Sequence, residues 1–228
     1  MAWNGNNDSV NHQSSRNYMY NDKVFILDEI TADNCAYLIG DLTTFVWNEA
    51  NSGKRLMIYI NSPGGDVYTM MTILGLINVA KLNDINVITF VLGLAGSAAS
   101  ILATQGNLRY MSNISTHFVH FGCIYDVTQK HSEIEKAYIQ NKAYAEKMML
   151  LYLKGCKGKL SRNTLLKLQS DERGYLSADE CLKYGFCDVV IENELEDKLL
   201  KEKEDEAQQK AFEKYLAAKQ KKSIKNGK

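Results

Sequence analysis

Proline is the scarcest residue here: Pro63 is the only one in 228 residues. Proline-rich linkers and polyproline stretches are therefore excluded. Cysteine is sparse and scattered, at Cys35, Cys123, Cys156, Cys181 and Cys187. An odd number with no CxxC pair argues against a disulfide framework or a zinc site and for reduced thiols in a cytoplasmic protein. Net charge is absent, with 27 basic and 27 acidic side chains, so no single-sign field recruits nucleic acid or an anionic membrane. The longest apolar run, around Val87 to Ala95, is too short and too interrupted to span a bilayer. The opening residues lack the basic and apolar regions of a signal peptide. No GxxxxGK[ST] loop is present, so the chain is not expected to bind ATP through one. Nothing in the pattern calls for a metal or an organic cofactor. Histidine is limited to four positions, His12, His117, His120 and His131, which narrows the search for a catalytic base.

What is present suits one sizeable α/β domain: 45% of residues are apolar, and the length fits one core better than two. Residues 1–16 are rich in Asn and Ser without hydrophobic period and read as a mobile polar arm. From residue 17 to 193, short apolar runs alternate with helical periodicity. Strands are expected at Lys23–Leu27, Leu56–Ile60, Val87–Leu92, Phe118–Phe121 and Val189–Ile191. The runs at Leu56 and Val87 read as strands buried on both faces. Helices are expected after Thr31 or Asp33 and over Val67–Ala80, Ala98–Thr104, Ser132–Leu153, Arg162–Leu168 and Ala178–Tyr184, the last ended by Gly185. This alternation predicts a mostly parallel sheet. Residues 194–228 turn to Lys, Glu, Gln and Ala and read as a charged helical or disordered tail.

Chemistry concentrates in two strand-to-helix turns. Asn61-Ser62-Pro63-Gly64-Gly65-Asp66 carries a glycine pair that permits positive φ and close backbone approach. Its backbone N–H groups, next to a helix N-terminus, can hold an anion. Gly93-Leu94-Ala95-Gly96-Ser97-Ala98-Ala99-Ser100 places Ser97 at a first helical turn among small residues. A hydroxyl with backbone donors beside it is what acyl transfer needs, because negative charge develops on the carbonyl oxygen under attack. Taken alone, each turn has an ordinary reading, as a β-α connection and a capping serine. Ser100 reads as a plain helix residue. His117 and His120 stand on opposite faces of one strand, so at most one can serve Ser97; spacing does not choose between them.

Together and in order, four motifs carry a resemblance. These are Tyr59-Ile60-Asn61-Ser62-Pro63-Gly64-Gly65, the Gly-x-Ala-Gly-Ser97-Ala turn, Phe118-Val119-His120, and the run from Tyr175-Leu176-Ser177-Ala178 through Tyr184-Gly185 to Asp188. They resemble the proteolytic subunit of the Clp protease (ClpP), over roughly residues 20–192. The resemblance implies a crotonase-like α/β fold with a long handle helix, here Ser132–Leu153, and a homo-oligomer of two stacked rings around a proteolytic chamber. It implies a Ser-His-Asp triad with Ser97 as nucleophile and His120 as base, and an oxyanion hole from the N–H groups of Gly65 and Ala98. Where the family has its aspartate, this chain has Arg173; Asp171, with Glu172 as substitute, is the expected acid. The family's Gln-Pro and glycine-rich stretch after the histidine is replaced by Phe121-Gly122-Cys123-Ile124.

The expected function is a serine endopeptidase acting on polypeptides, with any ATP use belonging to an AAA+ unfoldase partner. The alternatives are a catalytically weak ring subunit with a structural role, and a processing protease of a phage or mobile element. An acyl-CoA enzyme of the same broad fold is a more distant reading.

Overall fold

A computed structural model describes residues 16–120, 131–170, 174–192 and 210, without the side chains of 131–137 and 170. The chain divides into two units, Met1–Ile191 and Glu192–Lys228; the second is described only at Glu192 and Lys210. The expected arm, apart from Arg16, and the expected 194–228 tail, apart from Lys210, lie outside the described residues.

The elements in chain order are β1 (Asn17–Tyr20), β2 (Lys23–Ile26), α1 (Ala32–Trp47), β3 (Arg55–Ser62), α2 (Val67–Leu82), β4 (Asn86–Gly96), α3 (Ser97–Ala103), β5 (Leu108–Ser112), β6 (Thr116–Phe118), α4 (His131–Gly155), α5 (Arg162–Ser170), β7 (Tyr175–Leu176), α6 (Ala178–Tyr184) and β8 (Val189–Ile191). The sheet runs β1-β2-β3-β4-β5-β8, with β6 also paired to β4 and β7 to β6. Pairing is parallel except in β1–β2 and β6–β7. This is the expected α/β fold with a mostly parallel sheet.

Three strands were not legible in the sequence. β1 forms a hairpin with β2 through Asn21, which takes the positive φ such a turn requires. β5 is masked by Arg109, a charge inside a strand. β7 has only two residues. The strand expected over Phe118–Phe121 instead covers Thr116–Phe118. Thr31, rather than Asp33, caps α1, its side chain accepting from the Asn34 N–H.

One expectation is corrected. β3 is buried on one face: Leu56, Ile58 and Ile60 are in the core, while Met57 and Tyr59 are partly exposed. The opposite face of the sheet carries a row of rings at directly paired positions. Tyr18, Phe25, Tyr59, Phe90 and Tyr110 stack in sequence with centroids 4.8 to 5.2 Å apart. Each such pair contributes about 0.5–1.5 kcal/mol beyond area burial. An apolar run does not distinguish a covered face from a face that partly covers itself with aromatics.

Arg109 is the largest fully buried side chain in the core. It donates to both Asp188 oxygens, at 2.9 and 2.6 Å, to the Gly185 carbonyl at 2.7 Å and to the Gly155 carbonyl. The ion pair thus joins β5 to the segment leading into β8 and to the end of α4. Burial alone would raise the Asp188 carboxyl, but hydrogen bonds and charge from Arg109 and Lys157 outweigh it and hold the group at about 2. A carboxyl depressed in the folded state adds stability above its unfolded value, lost as pH falls through the folded one. Stability should therefore drop between about pH 4, the unfolded value, and pH 2. Asp188→Asn, which strands a buried guanidinium, should cost about 3–5 kcal/mol at pH 7 and flatten that acid limb, both read from urea unfolding across pH.

Candidate active site

The site residues gather where β3 and β4 end. The pairing of β3 with β4 slips between Ile60 and Ser62, and Asn61 turns its side chain across to accept from the Leu94 N–H at 3.0 Å. Ser62 Oγ donates to the Asp28 carbonyl at 2.6 Å and accepts from the Gly64 N–H at 3.1 Å. The Gly64 carbonyl accepts from the Ile30 N–H at 2.7 Å, and the Asp66 N–H donates to the Ile30 carbonyl at 2.6 Å. Asp66 then caps α2, accepting from Thr69 N–H and Oγ1, each at 2.7 Å. The Gly65 N–H is left without a hydrogen bond among the described residues.

Both glycines are required. Gly64 and Gly65 have φ of +102° and +144°, a region that side chains strain to occupy. A Cβ on Gly65 would run into the Ile30 backbone. A Cβ on Gly64 would meet the Gly96 carbonyl oxygen at 2.5 Å, Ser97 Cβ at 2.7 Å and the Ala98 nitrogen at 3.0 Å. The two glycine turns therefore pack backbone against backbone, with nothing between them.

β4 passes directly into α3 at Ser97. Ser97 has φ +50°, a left-handed conformation that is uncommon and costly for serine. That sharp bend lifts a half-buried hydroxyl to the end of the sheet, the same backbone device as the strained strand-to-helix elbow of hydrolases. Ala98 lies in the first turn, where a helix cannot satisfy its own N–H groups, and Gly96 provides no side-chain cap. Every residue of α3 after Ser97 is buried, and the first turn is built from small residues.

His120 follows β6, whose Phe118 is registered opposite Gly96 of β4. It and Ser97 thus extend from the same ends of neighbouring parallel strands. His120 is half-buried, and burial pulls its pKa below the ordinary histidine value. Its ring lies 5.0 Å from Phe118, which stacks on Tyr175 at 4.5 Å. Among the described residues no hydrogen bond joins Ser97 to His120. The Val119 N–H donates to the Gly174 carbonyl at 2.6 Å, so Gly174 lies beside the residue that precedes His120. Gly174 has no room for a side chain: a Cβ would meet the Phe118 ring at 2.8 Å and the Val119 carbonyl oxygen at 2.9 Å. Asp171, Glu172 and Arg173 lie outside the described residues, as does Phe121–Ile124.

The sequence reading missed a second serine–histidine pair. Ser100 Oγ lies 2.9 Å from His117 Nδ1, and both residues are fully buried. Burial and the nearby Arg109 charge lower His117 to about 3, and its Nε2 has no partner. No substrate reaches this pair, so it is not a catalytic dyad. The spacing of Ser100 and His117 gives no sign that they meet, because one lies on α3 and the other on β6. The described cysteines are buried. Burial raises Cys156 to about 12 and Cys187 to about 11, which rules them out as thiolate nucleophiles.

The family model for Clp protease matches residues 6–194. This chain belongs to the Clp protease family. Among curated relatives, the ATP-dependent Clp protease proteolytic subunit of Streptococcus mutans is 32% identical over 181 residues, covering 75% of this chain and 86% of that protein. The corresponding subunit of Streptococcus uberis is 29% identical with the same coverage. Among solved structures, a mutant of ClpP1 from Listeria monocytogenes matches with a TM-score of 0.61 at 23% identity, covering 75% of this chain and 91% of that one. At that identity the structural match establishes the fold, and family membership rests on the sequence match over most of the chain.

Gly64→Ala should destabilise this Clp-family chain by about 1–3 kcal/mol, the scale of a strained backbone position. Gly75→Ala, at an α2 position with nothing within 4 Å, should instead stabilise it by about 0.5–1 kcal/mol. Thermal and urea unfolding of the two variants checks the contrast.

Proposed function

We propose that this chain is a serine endopeptidase in which Ser97 attacks the peptide carbonyl and His120 takes its proton as general base. The observation that carries this reading is the strained Ser97, bent out of β4 and pressed against the Gly64–Gly65 turn. Two donors flank it without partners among the described residues, the N–H groups of Gly65 and Ala98. These two groups would hold the oxyanion, leaving an acyl-enzyme for water to release. Asp171, with Glu172 as substitute, would orient His120; Gly174, close behind them in the chain, is bonded to Val119, the neighbour of His120. Hydrogen bonds of this kind are often loose before substrate binds, so the free geometry of Ser97 and His120 is compatible with the role.

The curated relatives are named as proteolytic subunits of an ATP-dependent protease. By the same reasoning this chain assembles as a homo-oligomer of stacked rings, takes unfolded polypeptide, and leaves ATP use to an AAA+ partner. No described helix is long and apolar enough to cross a membrane, which agrees with a cytoplasmic site of action. The competing reading is a catalytically weak ring subunit, favoured by Arg173 at the family's acid position.

A fluorophosphonate probe at neutral pH should modify Ser97, and Ser97→Ala and His120→Ala should each abolish peptide cleavage. Cleavage that survives Ser97→Ala overturns the assignment; an unlabelled, inactive but assembled protein supports the structural subunit. Because the base must be neutral and burial lowers its pKa, the acid limb of kcat/KM should have its midpoint below the ordinary histidine value. Asp171→Asn should lower kcat/KM by about 10²–10⁴ and Glu172→Gln by less than about tenfold; the reverse order would make Glu172 the orienting acid. Native mass spectrometry should find a ring-sized oligomer, and a stable monomer would count against the chamber.

A further inference from the structure

The first residue of β1, Asn17, is a fully buried carboxamide. Its Oδ1 accepts from the Leu27 N–H at 2.9 Å and from the Asp28 N–H at 3.0 Å. A backbone N–H only donates, so these two bonds fix which way the carboxamide faces. Its Nδ2 therefore points the other way. It donates to the Glu29 carbonyl at 3.0 Å and to Cys35 Sγ at 3.4 Å. Asn34 Nδ2 gives the same Glu29 oxygen a second donor, at 3.1 Å.

The Glu29 oxygen matters because of the peptide units that follow from it. The Glu29 carbonyl and the Ile30 N–H are the two ends of one peptide. That N–H donates to the Gly64 carbonyl at 2.7 Å. The Gly64 carbonyl and the Gly65 N–H are the two ends of another. Both peptides are trans, so in each the oxygen and the N–H point in opposite directions. Two peptides thus stand in series behind Gly65, each held at its oxygen, with every donor directed toward the site. Holding an oxygen aims the N–H at the other end. A hydrogen bond to that oxygen also polarises the N–H and strengthens it as a donor. The Gly64–Gly65 peptide needs such a hold. It lies between two glycines at positive φ, where no side chain restricts rotation. Ile30, fully buried, grips the turn from both sides, since its carbonyl accepts from the Asp66 N–H at 2.6 Å.

We propose that Asn17 is a positioning residue for the reaction. Acting through the Glu29–Ile30 and Gly64–Gly65 peptides, it orients and polarises the Gly65 N–H for the oxyanion. The edge strand β1 thereby bears on catalysis without touching substrate. This rests on the reading of Ser97 as nucleophile and Gly65 as oxyanion donor.

Asn17→Asp tests it. The variant keeps an acceptor for the Leu27 and Asp28 N–H groups and loses the donor to Glu29. The two N–H donors hold its carboxyl ionised. Fluorophosphonate labelling of Ser97 and kcat for a fluorogenic peptide should fall about tenfold, the scale of one lost hydrogen bond. KM should stay within about twofold, because the contact acts on the transition state. Val46→Ala, at a buried α1 position outside these bonds, should lower stability yet leave both rates within about twofold. Asn17→Asp rates within about twofold of wild type, or an equal fall in Val46→Ala, would overturn the proposal. Should Asn17→Asp not fold, Asn34→Asp decides. It trades the second donor for a carboxylate in the first turn of α1, where a negative charge is tolerated. Its kcat should fall about threefold, and an unchanged kcat would overturn the proposal. If the wild-type protein is neither labelled nor active, the Ser97 reading fails, and amide hydrogen exchange tests the series separately. The Ile30 amide should exchange at least about tenfold faster in Asn17→Asp than in Val46→Ala; equal rates end the proposal.

Discussion

The site depends on one contact: the backbone of Gly64 against the backbone of Gly96, Ser97 and Ala98. At this point the protein places two strand-to-helix turns closer than any side chain allows. The slip in the β3–β4 ladder after Ile60 brings the turns level, and the bonds from Ser62, Gly64 and Asp66 to the Asp28–Ile30 segment hold the first turn from behind. The second turn is held by its own buried helix, which opens with the small residues Ala98, Ala99 and Ser100. Ser97 keeps a conformation serine ordinarily avoids because its neighbours on every side are already fixed.

Two buried polar systems stand behind that contact and differ in kind. Arg109 and Asp188 form a charged clamp, fully bonded to carboxylate and carbonyls, that ties β5 to the ends of α4 and α6. Removing Asp188 leaves the guanidinium charge in the core. The other is neutral: Ser100 pairs with His117, and nearby Tyr152 donates to the Ser97 carbonyl. Tyr152 bonds the peptide between Ser97 and Ala98, where the clamp does not reach. Arg109 nevertheless bears on both, since its charge helps keep His117 neutral.

The partly exposed ring stack from Tyr18 to Tyr110 belongs to the same economy of strand positions. Alternation along β3 and β4 sends branched aliphatics into the core and aromatics to the other face, where paired rings cover one another across five strands.

Much of the site was legible in the sequence because its demands are local. Gly64, Gly65 and Ser97 stand at strand ends, where the ordered motifs single them out, and the helix start at Thr31 or Asp33 and the helix stop at Gly185 follow from residue type. β1, β5 and β7 were not legible, since a hairpin edge, a strand containing Arg109 and a two-residue strand carry almost no periodic signal. The pairing of Ser100 with His117 could not be read either. Period-2 reasoning separates His117 from His120 but does not say which partner waits on either face. The sequence by itself determined the α/β class, the two glycine turns and the serine between them, because steric demands of backbone and small side chains are written residue by residue. Only the tertiary structure decided which serine meets which histidine, where Tyr152 ends, and that Ser97 is strained, because those depend on how strands are registered and which groups are sealed from water.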